Sequence, residues 1–302
     1  MTEAAFRVLR AQVFALYNQH SYAAALALIE QQAPLFPQYE SDLLFWRACL
    51  ASTMGDQAGA IGWLQQAADR GLWYHERMLR DPDLDSVRGT EAFAQLQVLF
   101  QQRYAQAQAV ATPQRRVWEP AGAVQGLLVA LHGANGSIAS DGDYWQPATA
   151  FGWRVAMLQS AQLWSPNRYH WADPAQALAE LRQHLAELVP PPLTVIGGFS
   201  MGAALAVRAV LSGAVAVNRF LAVAPAIRPE QVEPLLAHAD PHTRGYVVIG
   251  DLDSLSQPVQ EWVVTLQQAG VPCEVEVCRG VNHDYPPDFT ATVQRGLAFL
   301  AA

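Results

Sequence analysis

Residues 193–202, Leu-Thr-Val-Ile-Gly-Gly-Phe-Ser-Met-Gly, constrain the fold more than any other stretch of the chain. Leu193 to Ile196 is a compact apolar run that follows three prolines, Pro190 to Pro192, and it reads as a buried strand. Gly198 to Gly202 fits G-x-S-x-G around Ser200. Ala203 to Leu211 is a run of strong helix formers, ended by Ser212-Gly213. Ser200 is therefore expected on a sharp turn between a strand and a helix. The glycines have a steric role there. Gly198 and Gly202 flank a turn too tight for Cβ atoms, and Gly202, Ala203 and Ala204 let the helix lie close to the strand. The helix N-terminus would aim its free N–H groups at the serine, where they favour negative charge. A glycine-rich turn whose serine only caps the helix would leave the same motif.

Strands and helices alternate on both sides of this turn. Gly126 to His132 and residues 152–158 read as strands, and 173–188 as a helix with Asp173 at the N-cap and Pro174 at its first position. Further on, the pattern gives a strand from Arg219 to Val223 and a helix from Pro229 to Ala237. A strand from Gly245 to Ile249, a helix from Pro258 to Ala269, a strand from Cys273 to Cys278 and a helix from Asp288 to Leu300 follow. Such alternation predicts an α/β fold, a mostly parallel sheet with helices on both faces. Ligands of such sheets bind beyond the C-terminal strand ends.

Residues 1–111 have another character. Gly and Pro are scarce, and apolar residues recur at helical spacing, as at Ala11, Phe14 and Ala15. A repeat appears at an offset of 35, aligning residues 20–26 with residues 55–61. Tyr22, Gly55, the pair Ala25 and Ala60, and Pro37 give this segment a partial resemblance to the tetratricopeptide repeat. The second unit lacks the aromatic residue and the closing proline. An ordinary pair of helical hairpins is the alternative. Residues 72–95, broken at Asp81-Pro82 and Gly89-Thr90, read as a capping segment. Two repeats cannot bury their own faces, so Phe14, Tyr17, Leu26, Phe45, Trp46 and Trp63 are expected to pack on the other domain or on a second copy. Ala111 to Arg116 is the candidate linker. The expected organisation is an all-α repeat-like domain over 1–111 and an α/β domain over 112–302.

Composition excludes several functions. With 302 residues, 51% of them hydrophobic, the chain can build such a core. A net charge of −8 argues against nucleic acid or an anionic membrane as partner. Every basic residue is arginine, so Schiff-base lysines, a P-loop lysine and a Ser-Lys dyad are excluded. Cys49, Cys273 and Cys278 make neither a zinc pattern nor a disulfide framework. No run is long and apolar enough for a membrane span. The first residues lack the marks of a signal peptide, and the expectation is a cytoplasmic protein.

Three chemically useful residues fall at three predicted strand ends. Ser200 follows one strand, Asp253 in Gly250-Asp-Leu-Asp253 follows the next to last, and His283 in Gly280-Val-Asn-His283 follows the last. The chain order Ser, Asp, His is that of an α/β-hydrolase triad. His132-Gly133-Ala134 follows the first strand and matches the family's H-G-x turn. On these four motifs, residues from about 117 to 302 resemble a small α/β-hydrolase of the carboxylesterase, phospholipase and dienelactone hydrolase type. The resemblance implies Ser200 as nucleophile, His283 as base and Asp253 as the acid that orients it, with the backbone N–H groups of Ala134 and Met201 as oxyanion hole. No metal or cofactor is implied. Asp251 competes for the acid role by position alone, and Asp253 fits the family spacing. His132 reads as structural, and His238-Ala-Asp-Pro-His242 as a solvated turn rather than a metal site.

The substrate expected from the resemblance is a small-molecule ester with a small or medium acyl group. Trp164, Arg168, Tyr169 and Trp171 lie on the loop after the second strand and are candidates to contact it, with Tyr144 and Trp145 nearby. Packing of the loop itself would use the same aromatic residues. The helical repeats suit a protein partner or a homodimer. Two other readings stay open: a retired hydrolase domain carried on a binding scaffold, and a thioesterase or peptidase with the same triad.

Overall fold

The computed structural model describes residues 3–191 and 193–302. Met1, Thr2 and Pro192, which enter the readings of the N-terminus and of the proline run, lie outside the described residues. The chain divides into two compact units. One runs to Ala111 and also takes in Leu163–Asn167; the other comprises Thr112–Gln162 and Arg168–Ala302.

The first unit is all helical up to Ala111. Its longer helices are Glu3–Asn18, Tyr22–Gln32, Glu40–Thr53, Gln57–Asp69 and Glu91–Val110. Side-chain caps fix several starts. The Asp56 carboxylate accepts the Gly59 N–H at 2.9 Å, and Thr90 Oγ1 accepts the Phe93 N–H at 3.2 Å. Gly55 and Gly71 take positive φ where helices end, a conformation that costs glycine little. Aromatic side chains knit the helices together. Phe6 stacks on Tyr39 at 3.7 Å, and Tyr74 lies between Phe45 and Phe100 while its hydroxyl donates to the Ser41 carbonyl. The helix Glu91–Val110 and the turn around Leu84 thus cover apolar surface that a bare pair of hairpins would expose. Leu163–Asn167 joins this unit through backbone and ring. The His75 N–H donates to the Trp164 carbonyl, the two rings stack at 5.3 Å, and the Leu163 N–H donates to Gln108 Oε1.

The second unit is built on a seven-stranded sheet. Its strands are β1 Gln114–Trp118, β2 Gly126–Leu131, β3 Trp153–Gln159, β4 Thr194–Phe199, β5 Arg219–Val223, β6 Arg244–Gly250 and β7 Cys273–Cys278. Their order is β1-β3-β2-β4-β5-β6-β7, all parallel except β1, which pairs antiparallel with β3. Every residue of β2 and β4 is buried, as a central strand covered on both faces requires. The helices of this unit include Ile138–Trp145, Pro174–Leu188, Met201–Leu211, Ser256–Gln268 and Phe289–Ala301. Asp173 caps Pro174–Leu188 by accepting the N–H groups of Ala175 and Gln176.

Three local features depart from the sequence expectation. Part of the candidate linker is strand β1. Gln114, Arg115 and Arg116 are exposed there, and a charged edge strand lacks the apolar alternation that marks a strand. The helix expected from Pro229 to Ala237 is one α turn, Pro229–Val232, followed by a 3-10 segment, Glu233–His238. Pro234 has no N–H to continue the α pattern. Ile138–Trp145 is a helix that hydrophobic period did not reveal, because it has only 8 residues; Ser137 and Ser140 cap it reciprocally.

Candidate active site

Ser200 occupies a backbone conformation that side chains rarely adopt, φ 52° and ψ −113°. Such a residue costs about 1–3 kcal/mol and persists only where its surroundings hold it. Here the Ser200 N–H donates to the Val223 carbonyl at 2.9 Å, and the Ser200 carbonyl accepts the Ala226 N–H at 3.1 Å. The neighbouring glycines are sterically required. A Cβ at Gly202 would lie 2.4 Å from the His132 carbonyl oxygen, and one at Gly198 would lie 2.5 Å from the Gly202 carbonyl carbon. The strand-to-helix turn therefore closes only with glycine on both sides of the serine.

Strands β4, β6 and β7 end on the same side of the sheet, and their following loops bring three side chains together. Ser200 Oγ is 2.8 Å from His283 Nε2, and His283 Nδ1 is 2.7 Å from Asp253 Oδ2. The second oxygen of Asp253 accepts the Leu255 N–H at 2.9 Å. With both oxygens engaged and a side chain only 1% exposed, Asp253 is held in one orientation. A carboxylate can only accept, so Nδ1 of the neutral imidazole carries the proton. Nε2 is left to accept from the serine hydroxyl. The imidazole itself is 39% exposed, open to a reactant. Asp251 does other work: its carboxylate accepts the Gly280 N–H at 2.6 Å and fastens the start of the histidine loop.

The turn after β2 lies against this serine. A Cβ on Gly133 would meet the Phe199 ring at 2.7 Å and Ser200 Cβ at 3.6 Å. Among the described residues, the N–H groups of Ala134 and Met201 donate to no other group. His132 is wholly buried. Its Nδ1 donates to the Gly133 carbonyl at 2.7 Å and its Nε2 accepts the Ser160 N–H at 3.2 Å. Burial pushes its pKa below the ordinary histidine value, so it stays neutral and braces the turn.

A buried polar network holds the histidine loop from behind. The Tyr285 hydroxyl donates to Asp141 Oδ1 at 3.0 Å and accepts from Trp145 Nε1 at 3.1 Å, while Ser140 Oγ donates to Asp141 Oδ2. The Tyr285 ring stacks on Phe199 at 4.4 Å and on Tyr144 at 4.0 Å. Asp141 and Tyr285 were not among the residues that sequence motifs single out. They are 144 positions apart and belong to no motif.

The aromatic residues of the loop after β3 have separate locations. Trp171 is buried, stacks on His132 at 4.7 Å, and donates from its indole to the His132 carbonyl. Its backbone N–H meets Met201 Sδ at 3.3 Å. The Tyr169 N–H donates to the Gly136 carbonyl. Arg168 is half-buried and Trp164 stacks on His75 in the helical unit. Trp145 is fully buried and belongs to the core. Asp240 accepts the His242 N–H within its own turn. No group of three or more His, Cys, Asp or Glu side chains among the described residues could hold a metal ion.

Comparison with known proteins follows the two units. Residues 5–108 match the family model described as the A/B hydrolase-like N-terminal domain. Among curated proteins, no relative matches the chain. A crystal structure of an uncharacterized protein from Bacillus cereus ATCC 10987 is similar over 100% of both chains, with 25% identity and a TM-score of 0.54. Esterase PE8 is 21% identical with a TM-score of 0.51, over 63% of this chain and 98% of its own. Acyl-protein thioesterase 2 of Zea mays is 16% identical with a TM-score of 0.52, over 63% of this chain and 99% of its own. The sheet unit has the α/β-hydrolase fold. It follows an all-helical region of about 110 residues, the part that the N-terminal-domain model matches. None of the helices among the described residues is long and apolar enough to cross a membrane.

Proposed function

We propose that the chain is a serine hydrolase, a carboxylesterase that cleaves esters of small or medium acyl groups. The observation that carries this reading is the unbroken series of hydrogen bonds from Asp253 through His283 to Ser200, on a serine held in a strained turn. Ser200 Oγ attacks the ester carbonyl as His283 Nε2 takes its proton. Asp253 keeps the imidazole in the required tautomer and stabilises the imidazolium. The N–H groups of Met201 and Ala134 bind the oxyanion, each lowering the barrier by about 3 kcal/mol. His283 then returns the proton to the departing alcohol. Water, activated by the same imidazole, releases the acid and frees the serine. These steps use neither a metal nor a cofactor.

In this reading residues 112–302 form the catalytic domain, and Arg168, Tyr169, Trp171 and Trp164 are the candidates for substrate contact. Residues 1–111 form a tetratricopeptide-repeat-like domain that meets a protein partner or a second copy. Its support is spacing: Tyr22–Gln32 and Gln57–Asp69 begin at residues 22 and 57, 35 apart. The protein would act in the cytoplasm on a small-molecule substrate.

The test is hydrolysis of p-nitrophenyl esters from acetate to decanoate, with a thioester and a peptide substrate alongside. Turnover of a short or medium ester is expected, and Ser200→Ala should lower it on the order of a millionfold while the fold persists. Full activity in that variant would overturn the nucleophile. Turnover of the thioester or peptide alone would move the substrate class.

A further inference from the structure

A pocket of about 160 Å3 opens beside Met201, the residue that follows the candidate nucleophile. Trp171, Leu178, Leu205 and Leu235 give it apolar walls, and Arg208 also lines it. One side of it follows the helix Met201–Leu211. Met201, Leu205 and Arg208 share one helix face on successive turns, with Ser212 just past the end. At about 1.5 Å per residue, Arg208 starts roughly 10 Å from Met201, and helical side chains lean back toward the N-terminus.

Arg115, Arg154, Arg182, Arg219 and Arg295 each donate to a carboxylate or a carbonyl. The Arg208 side chain makes no hydrogen bond or ion pair with any described residue. It is nevertheless partly buried, and burial alone pulls its pKa below the ordinary value. A guanidinium that lines an apolar pocket without a protein acceptor can take a carboxylate there through charge-assisted hydrogen bonds. Gln231, which also lines the pocket, accepts the Arg228 N–H with its oxygen and keeps its amide N–H groups for another acceptor.

Building on the hydrolase reading above, we infer that the pocket takes the acyl part of the substrate, and that this acyl chain is short and ends in a carboxylate. One guanidinium matches one negative charge and pairs with a planar carboxylate through two parallel hydrogen bonds. A water occupies about 30 Å3 of liquid, so the pocket holds roughly five non-hydrogen atoms. That is the length of a succinyl or glutaryl tail beyond its ester carbonyl. The substrate class is therefore a monoester of a short dicarboxylic acid.

The test uses the full chain and follows proton release from the monoethyl esters of succinate, glutarate and adipate. Ethyl butanoate, pentanoate and hexanoate are the uncharged counterparts. The succinate or glutarate monoester should exceed its counterpart in kcat/KM by about tenfold or more, the strength of a charge-assisted hydrogen bond. Arg208→Gln should lower that ratio by about tenfold, mainly through KM, and Arg208→Met should do the same. A preference for the neutral esters, or a ratio that Arg208→Gln leaves unchanged, overturns the inference. If the wild type cleaves none of these esters, the hydrolase reading fails instead. The pocket is then judged by calorimetry with glutarate on Ser200→Ala. Binding that disappears in Ser200→Ala/Arg208→Gln supports the anion site, and absence of binding in Ser200→Ala rejects it.

Discussion

Two aspartates two positions apart illustrate how residue-scale geometry assigns roles. Asp253 holds His283 Nδ1 at 2.7 Å, whereas Asp251 holds the Gly280 N–H. Asp253→Asn should lower kcat by about ten-thousandfold, as loss of the orienting acid does in Ser-His-Asp enzymes. Asp251→Asn keeps an amide oxygen that can accept the Gly280 N–H, weakens that loop hydrogen bond by removing its charge, and should cost about tenfold at most. Steady-state kinetics of the two variants on one ester decides; equal losses would mean that the loop, not the acid, was being measured. The sequence made Ser200, Asp253 and His283 legible because each ends a strand within a short motif. Asp141, Tyr285 and the environment of Arg208 were not legible. Their meaning lies in contacts across the fold and in the lack of a hydrogen-bond or ion-pair partner for the Arg208 side chain among the described residues, and motif spacing encodes neither.

At the scale of elements, period and length decided what could be read. Buried strands such as β2 and β4 stand out as apolar runs between turn signals. Edge strand β1 does not, because solvent on its outer side lets it carry Gln114, Arg115 and Arg116. The break at Pro234 was visible in principle, but a propensity sum over Pro229 to Ala237 hides one missing N–H. Element packing also has a pH signature. His132 is held neutral where β2 ends, with its pKa lowered by burial, and burial lowers His184 and His75 in the same direction. In the unfolded chain these imidazoles take up protons near about pH 6.5. Below that value the unfolded state binds more protons than the folded one. The stability present above about pH 6.5 is therefore lost as pH falls toward the lower folded values. Urea unfolding of the full chain should show declining stability from about pH 6.5 to 5, and His132→Asn should make the decline shallower. An unchanged slope would mean that His132 is not held neutral by the fold.

At the scale of the whole molecule, the chain joins a helical unit to an α/β-hydrolase sheet. The boundary after Ala111 coincides with a change of period that can be read directly: scarce glycine and helical spacing before it, strand and helix alternation after it. The return of Leu163–Asn167 to the helical unit could not be read that way. Its partners are His75 and Gln108, far off in sequence, and the segment itself reads only as an aromatic loop. The end-to-end similarity to the Bacillus cereus protein extends across both parts of the chain. Catalysis in this account rests on one activated oxygen, and a fluorophosphonate reports on that oxygen without any assumption about the substrate. The full chain is incubated with the probe, and its intact mass and peptide map are measured. The account predicts one adduct per chain, on Ser200, absent in Ser200→Ala and much slower to form in His283→Ala. An adduct on another residue, or none on the folded wild-type protein, would contradict it.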